Sequence, residues 1–276
     1  MPTARHGDLR GGERTLSRQG AKINASSLQA MSTAATATYF GSNSWLLEIH
    51  GLRVLVDPWL VDALVFPPGA WLLKGELPHP WPIPEQLDLL LLTQGQADHA
   101  HPATLQQLPR TLPVVASPAA AKVVSNLGFT QVTSLRPGER HQAGELTIQA
   151  TAGARVPMVE NGYLLDWPGG SLYLEPHGVL DPTLPRRQVS TVISPVIDLG
   201  LPLVGNFITG ASVMPALIER FSPQQVLAST TGGDVRFTGV ISRLLKADGA
   251  ETMAPSDDLI TTPVPGEPVM LAGAQD

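Results

Sequence analysis

The sequence predicts an α/β (α+β) fold of four layers, αββα, with two mixed sheets packed face to face and helices on their outer surfaces. Three observations predict it. Paired apolar runs with turn residues between them open each half of the chain, and each pair is followed by single strands alternating with helices. The run Leu87–Thr93 is nearly all apolar, broken by Asp88, as befits a strand covered on both faces. Hydrophobic residues make up 43 % of the chain, enough for a sizeable core, while 26 Gly and 26 Pro suggest many short elements joined by turns.

Taken in order, Trp45–His50 and Arg53–Asp57 form a hairpin, turned at His50-Gly51 and stopped by Asp57-Pro58. Residues 61–86 hold six prolines among Phe66, Trp71 and Trp81 and read as a long, lid-like loop. Leu87–Thr93 is a buried strand, and Pro102–Leu108 a helix with proline in its first turn. Val114–Ser117 is a strand, and Ala119–Asn126 a helix closed by Gly128. Leu146–Thr151 alternates as a strand. Tyr163–Trp167 and Ser171–Glu175 flank Pro168-Gly169-Gly170 as a second hairpin, and Thr191–Val196 is a buried strand. Ser212–Arg220 reads as helix, Gln225–Ser229 as strand, Thr238–Ala247 as helix, and Val269–Leu271 as a last strand. No linker-like stretch divides 35–276, which is expected to be one domain.

Composition excludes several classes of function. The net charge is −6 with no basic stripe, so nucleic acid is not an expected partner. With no cysteine there is no disulfide framework, no thiolate nucleophile and no cysteine-ligated zinc. No apolar run approaches the roughly 18 residues of a membrane span, so no membrane association and a cytoplasmic location are expected. Residues 1–34 are expected to be a disordered extension. The first 30 carry five basic residues against two acidic, leaving the remainder with 13 basic against 22 acidic. An over-extended start, with Met31 the working one, is the favoured explanation; a transit-like or regulatory tail is the other.

The chemistry should lie in Thr93-Gln94-Gly95-Gln96-Ala97-Asp98-His99-Ala100-His101-Pro102. This segment follows a buried strand and opens a helix, where side chains converge on a crevice. Asp98, His99 and His101 place one carboxylate and two imidazoles within four residues, donors suited to zinc or another first-row metal.

Four passages resemble the metallo-β-lactamase superfamily, in particular its ascorbate-6-phosphate lactonase-like branch. They are Gly41–Glu48 with Val54–Pro58, the loop just quoted, Glu160-Asn161-Gly162-Tyr163 leading to Leu172–Gly178, and Pro263–Glu267. The loop stands where that family carries His-x-His-x-Asp-His. The resemblance puts the family's first two histidines on Gln94 and Gln96 and keeps Asp98 and His99. A later histidine falls near Ala154, a bridging aspartate around Glu175-Pro176, and a last histidine near Thr230. Gln-Gly-x-x-Asp-His-x-His with Glu-Pro-His-Gly is similar to a variant subgroup from cyanobacteria and plants.

What the resemblance implies is a reduced site: at most one divalent metal ion, zinc first among the candidates, or none. Asp98, His99, His101, Glu175 and His177 are the candidate ligands, with Asp98 and His99 also the candidate catalytic groups. Gln94, Gln96 and Asp57 are expected to contact substrate, although Asp57 is more often structural in this fold. Bland readings compete: His99 as a packed loop histidine, His101 as a helix-entry residue, Glu175 and His177 as strand-end caps. His50, His79 and His141 read as surface or packing residues, Asp198 and Asp234 as rim carboxylates, and Arg186-Arg187 as a solvated pair. The expected function is a hydrolase-like protein acting on an ester, lactone or phosphate-containing small molecule. The alternative is an inactive descendant that binds a small molecule or a protein partner.

Overall fold

A computed structural model describes residues 35–154, 160–230, 232–249 and 259–273. The expected extension over 1–34 lies outside them. Two seven-stranded sheets form the body. The first runs β20 (Pro268–Met270), β1 (Thr36–Gly41), β2 (Ser44–Ile49), β3 (Leu52–Val56), β6 (Leu89–Leu92), β7 (Val114–Ala116) and β8 (Val132–Ser134). It is antiparallel through the β2–β3 hairpin and parallel from β3 to β8. The second runs β19 (Ile260–Thr261), β16 (Gln225–Ala228), β13 (Thr191–Ser194), β12 (Gly170–Leu174), β11 (Asn161–Trp167), β10 (Leu146–Ala152) and β9 (Arg140–Ala143).

The strand period of two explains the layers. Leu89 and Leu91 of β6 face the other sheet and pack with Trp45, Leu47, Tyr163, Leu165 and Ile193. Leu90 and Leu92 face outward, onto Leu105 of helix α1 (Pro102–Leu105) and onto Ala120 and Val124 of α2 (Pro118–Asn126). On the second sheet Leu164, Val192 and Val226 meet Met214, Leu217 and Phe221 of α3 (Gly210–Phe221). A strand apolar at every position is therefore buried twice over, each leucine contributing about 1.5–3 kcal/mol. This mixed α/β architecture is the αββα sandwich that the sequence predicts.

Three expectations need correction. Thr238–Ala247 is not a helix. Arg236–Thr238 forms β17, paired with β5 (Lys74–Glu76), which also pairs β4 (Leu64–Val65). A turn of 3-10 helix follows at Ile241–Arg243, then β18 (Lys246–Asp248) beside β14 (Asp198–Leu201), itself paired with β15 (Gly205–Thr209). The loop over 61–86 is thus partly strand. Asp198 is not a rim group: it is buried and accepts hydrogen bonds from the Ser212 backbone N–H (3.0 Å) and hydroxyl, fixing the first turn of α3.

Candidate functional site

Three stretches meet at the carboxyl ends of the central strands: the loop after β6, the entry to β11, and the loop after β12. Asn161 N–H donates to Thr93 C=O at 3.1 Å, and Tyr163 Oη–H to Leu92 C=O at 2.9 Å, so the two sheets are tied together beside the site. Asp57 follows β3 directly, and its φ of 41° turns the chain away. Its carboxylate then accepts from Thr93 N–H at 2.8 Å and from the Thr93 hydroxyl.

Asp57 Oδ2 also stands 2.9 Å from His99 Nδ1. The carboxylate so accepts a hydrogen bond from Nδ1–H and leaves the Nε2 lone pair turned to the crevice. Asp57 is 1 % exposed and fully engaged, a support for His99 rather than a group open to a ligand. His99 Nε2 lies 3.4 Å from Asp98 Oδ2 and 3.3 Å from Asn43 Nδ2.

His177 comes from the loop after β12. Its ring stacks on that of His99, centroids 5.3 Å apart, and its Nδ1 lies 2.7 Å from Glu160 Oε2. Gly178, at φ 76°, makes this approach feasible: a Cβ there would meet Gly210 N at 2.5 Å. Thr209 then pins the turn, its N–H donating to His177 C=O at 2.8 Å and its hydroxyl to Gly178 C=O at 2.7 Å. Glu175 holds the same loop from behind, accepting from His177 N–H at 3.1 Å and Val179 N–H at 2.6 Å.

One donor atom each from His99, Glu160 and His177 all lie within 4.8 Å of one another. Among the described residues, Glu160 Oε1 and Oε2, His177 Nδ1, Asp98 Oδ1, Glu175 Oε1, Asn43 Oδ1 and both amide atoms of Gln94 are buried without a well-directed hydrogen bond. The His177 and Glu160 atoms, 2.7 Å apart, form a close charge pair that would have to open for both to hold one ion.

Electrostatics agree. Burial disfavours a charged His99, but the carboxylates of Asp98, Asp57 and Glu160 outweigh it and raise its pKa to about 10. Burial likewise works against a charged His177, and Glu160 overcomes it to raise the pKa, with the His99 charge opposing. Glu175 is pushed up to about 8 by burial and by the charge of Glu160. A buried cluster this rich in carboxylates calls for a compensating cation. Its imidazole and carboxylate donors fit one divalent ion.

Not every expected ligand joins the group. His101 turns away, its Nδ1 3.2 Å from the Thr104 hydroxyl and its ring 6.1 Å from that of Trp59, and burial lowers its pKa. Glu175 serves the loop backbone. Asp98 sits beside His99 with its side chain 22 % exposed. Gln94 is 1 % exposed, while half-buried Gln96 accepts the N–H bonds of His99 (3.0 Å) and Ala100 (2.7 Å) through its C=O. Glu160 and Asn43, to which sequence reasoning gave no role, complete the surroundings. The signal for Glu160 was an acid opening an apolar strand, a position that is costly to bury without a partner.

A family profile described as "Beta-lactamase superfamily domain" matches residues 36–230. Among solved structures, an isothiocyanate hydrolase from Delia radicum gut bacteria is similar, with a TM-score of 0.65 and 17 % identity, over 86 % of this chain and 99 % of that one. A metallo hydrolase from the hyperthermophilic archaeon Ignicoccus hospitalis matches with a TM-score of 0.59 and 18 % identity, over 86 % and 98 % of the two chains. A diiron β-hydroxylase from Streptomyces venezuelae matches with a TM-score of 0.52 and 19 % identity, over 72 % of this chain and 45 % of that one. No curated protein matches. Among the described residues, no helix is long and apolar enough to cross a membrane.

Proposed function

The chain belongs to the β-lactamase superfamily, of metallo-β-lactamase fold, and on that premise we propose that it is a hydrolase-like protein working with a single divalent metal ion, zinc first among the candidates. The observation that carries this reading is the buried His99–Glu160–His177 group with its undirected donor atoms. Among the described residues a second metal has no comparable set: Gln94 and Gln96 stand at the first two histidine positions of the family motif. Of the other two, Ala154 has no donor and the Thr230 hydroxyl is spent on Pro176 C=O at 2.8 Å.

A divalent ion held by His99, Glu160 and His177 supplies Lewis acidity toward a carbonyl or phosphoryl oxygen. The protein's own groups do the rest. Asp57 and Thr93 fix the His99 ring. Asp98, partly exposed and with one undirected oxygen, accepts the proton of an attacking water. Gln94, buried with both amide atoms free of partners among the described residues, offers a donor and an acceptor to orient a substrate. The proposed substrate is an ester, lactone or phosphate-containing metabolite, in keeping with the lactonase-like passages, and the proposed location is the cytoplasm.

The test is a panel of esters, lactones and phosphoesters assayed with the intact protein and with Asp98→Asn. Turnover of one class that falls at least 100-fold in the variant, with metal content kept, supports the reading. No turnover across the panel, with small molecules still bound, favours a binding protein, the reading to which Gln94 and Gln96 lend weight.

A further inference from the structure

The metal group just described offers three donors, and the fold's usual remaining histidine is missing at Thr230. Asn43 lies in the two-residue turn between β1 and β2 and is 4 % exposed. Its Nδ2 is 3.3 Å from His99 Nε2, and its Oδ1 is buried without a hydrogen-bond partner among the described residues. The turn is firmly held: Thr230 N–H donates to Ser42 C=O at 2.8 Å, and Tyr39 Oη–H donates to the same oxygen at 2.9 Å. An asparagine buried by a rigid turn, one oxygen idle and its amide against the ligating nitrogen, is costly unless that oxygen is used.

Two donors sharing one tetrahedral ion at bonds of about 2.0–2.2 Å stand roughly 3.3–3.6 Å apart. The Asn43 amide, 3.3 Å from His99 Nε2, meets that spacing, and a half-turn about its terminal torsion exchanges nitrogen for oxygen within the same volume. Once an ion occupies the Nε2 lone pair, that lone pair no longer accepts from Nδ2, and the exchange becomes favourable.

We infer that Asn43 is a metal ligand, its side-chain oxygen completing the site of His99, Glu160 and His177 from the first hairpin in place of the missing histidine. The inference rests on the single-metal reading above. A neutral amide oxygen is a weaker and harder ligand than imidazole, so the site tolerates manganese or iron beside zinc more readily than an all-histidine site does.

The experiment titrates the metal-free full chain with Zn²⁺ and with Co²⁺, for the unaltered protein, Asn43→Ala and Asn43→Asp. Affinity is read by calorimetry and coordination by the cobalt d–d spectrum. The inference expects Asn43→Ala to weaken binding at least tenfold and change the cobalt spectrum. It expects Asn43→Asp, the same shape with an anionic oxygen, to bind at least tenfold tighter. Equal affinities and spectra for all three overturn it while leaving the single-metal reading intact. Unchanged metal binding in Asn43→Ala with weakened substrate binding also overturns it, as a contact to substrate instead. An unaltered chain that binds neither ion overturns both readings. If Asn43→Ala does not fold, the Asn43→Asp comparison decides alone: tighter binding upholds the inference, and unchanged binding overturns it.

Discussion

The imidazoles of His99 and His177 lie nearly parallel, 24° between planes and 5.3 Å between centroids, one from each sheet. Two charged imidazoliums this close would repel, which is why the charge of His99 works against protonation of His177. With an ion bound both rings would be neutral, their lone pairs turned to one space beside Glu160 in place of the protons that the surrounding carboxylates otherwise favour. The expected outcome of His177→Ala is loss of bound metal to under a tenth of an ion per chain, read by elemental analysis. His101→Ala should keep the metal, because its side chain faces Thr104 and Trp59.

Asp57 acts at one remove. Its carboxylate accepts from Thr93 and stands 2.9 Å from His99 Nδ1. Asp57→Asn should lower metal affinity about 10–100-fold by releasing the ring's orientation, with the same ligand atoms still present. Competition with a chromophoric chelator checks this; an unchanged affinity would show that His99 needs no such support.

The core is the part most legible in the sequence. Leu90 is fully buried between the first sheet and the helical layer of Leu105, Ala120 and Val124. Leu90→Ala should cost about 2–5 kcal/mol, measured by urea unfolding. A loss below roughly half a kcal/mol would remove that strand from the core.

A pH effect follows from Asp181. Burial would raise its pKa, but hydrogen bonds from the Thr183 hydroxyl (2.6 Å), Thr183 N–H (2.9 Å) and Ala152 N–H (2.8 Å) more than compensate, and the pKa is lowered from 3.8. A depressed carboxylate stabilises the fold above its unfolded pKa, and that contribution fades as pH falls through the lower folded value. Asp181→Asn should therefore lower the thermal midpoint by a few degrees near neutral pH, with the gap to the unaltered protein narrowing below about pH 4. A gap that is constant with pH would count against this origin.

What the sequence revealed and what it hid have physical reasons. Leu89–Leu92 announced itself because an unbroken apolar run needs two covered faces. His99 announced itself through its place in a motif-bearing loop. The segment after Thr238 has apolar residues at helical spacing, Val240, Ile241, Leu244 and Leu245. Gly239, at φ 112°, sits where a Cβ would meet Leu72 C=O oxygen at 2.5 Å, and Arg236–Thr238 gives its backbone to β5 instead. Such long-range pairing has no local signature. Glu160 was hidden likewise: it reads as the start of a strand, and the antiparallel pairing of β11 with β12 brings it to His177. His101 and Glu175 have the right chemistry for ligands, yet the turn into α1 and the loop after β12 aim them elsewhere.

The central claim is one metal ion in a group built from His99, Glu160 and His177. Its most direct test is elemental analysis of the full chain purified without chelator, alongside Glu160→Gln. The account expects about one divalent ion per chain, lost in the variant. Two tightly bound ions per chain, or an ion retained undiminished by Glu160→Gln, would contradict it.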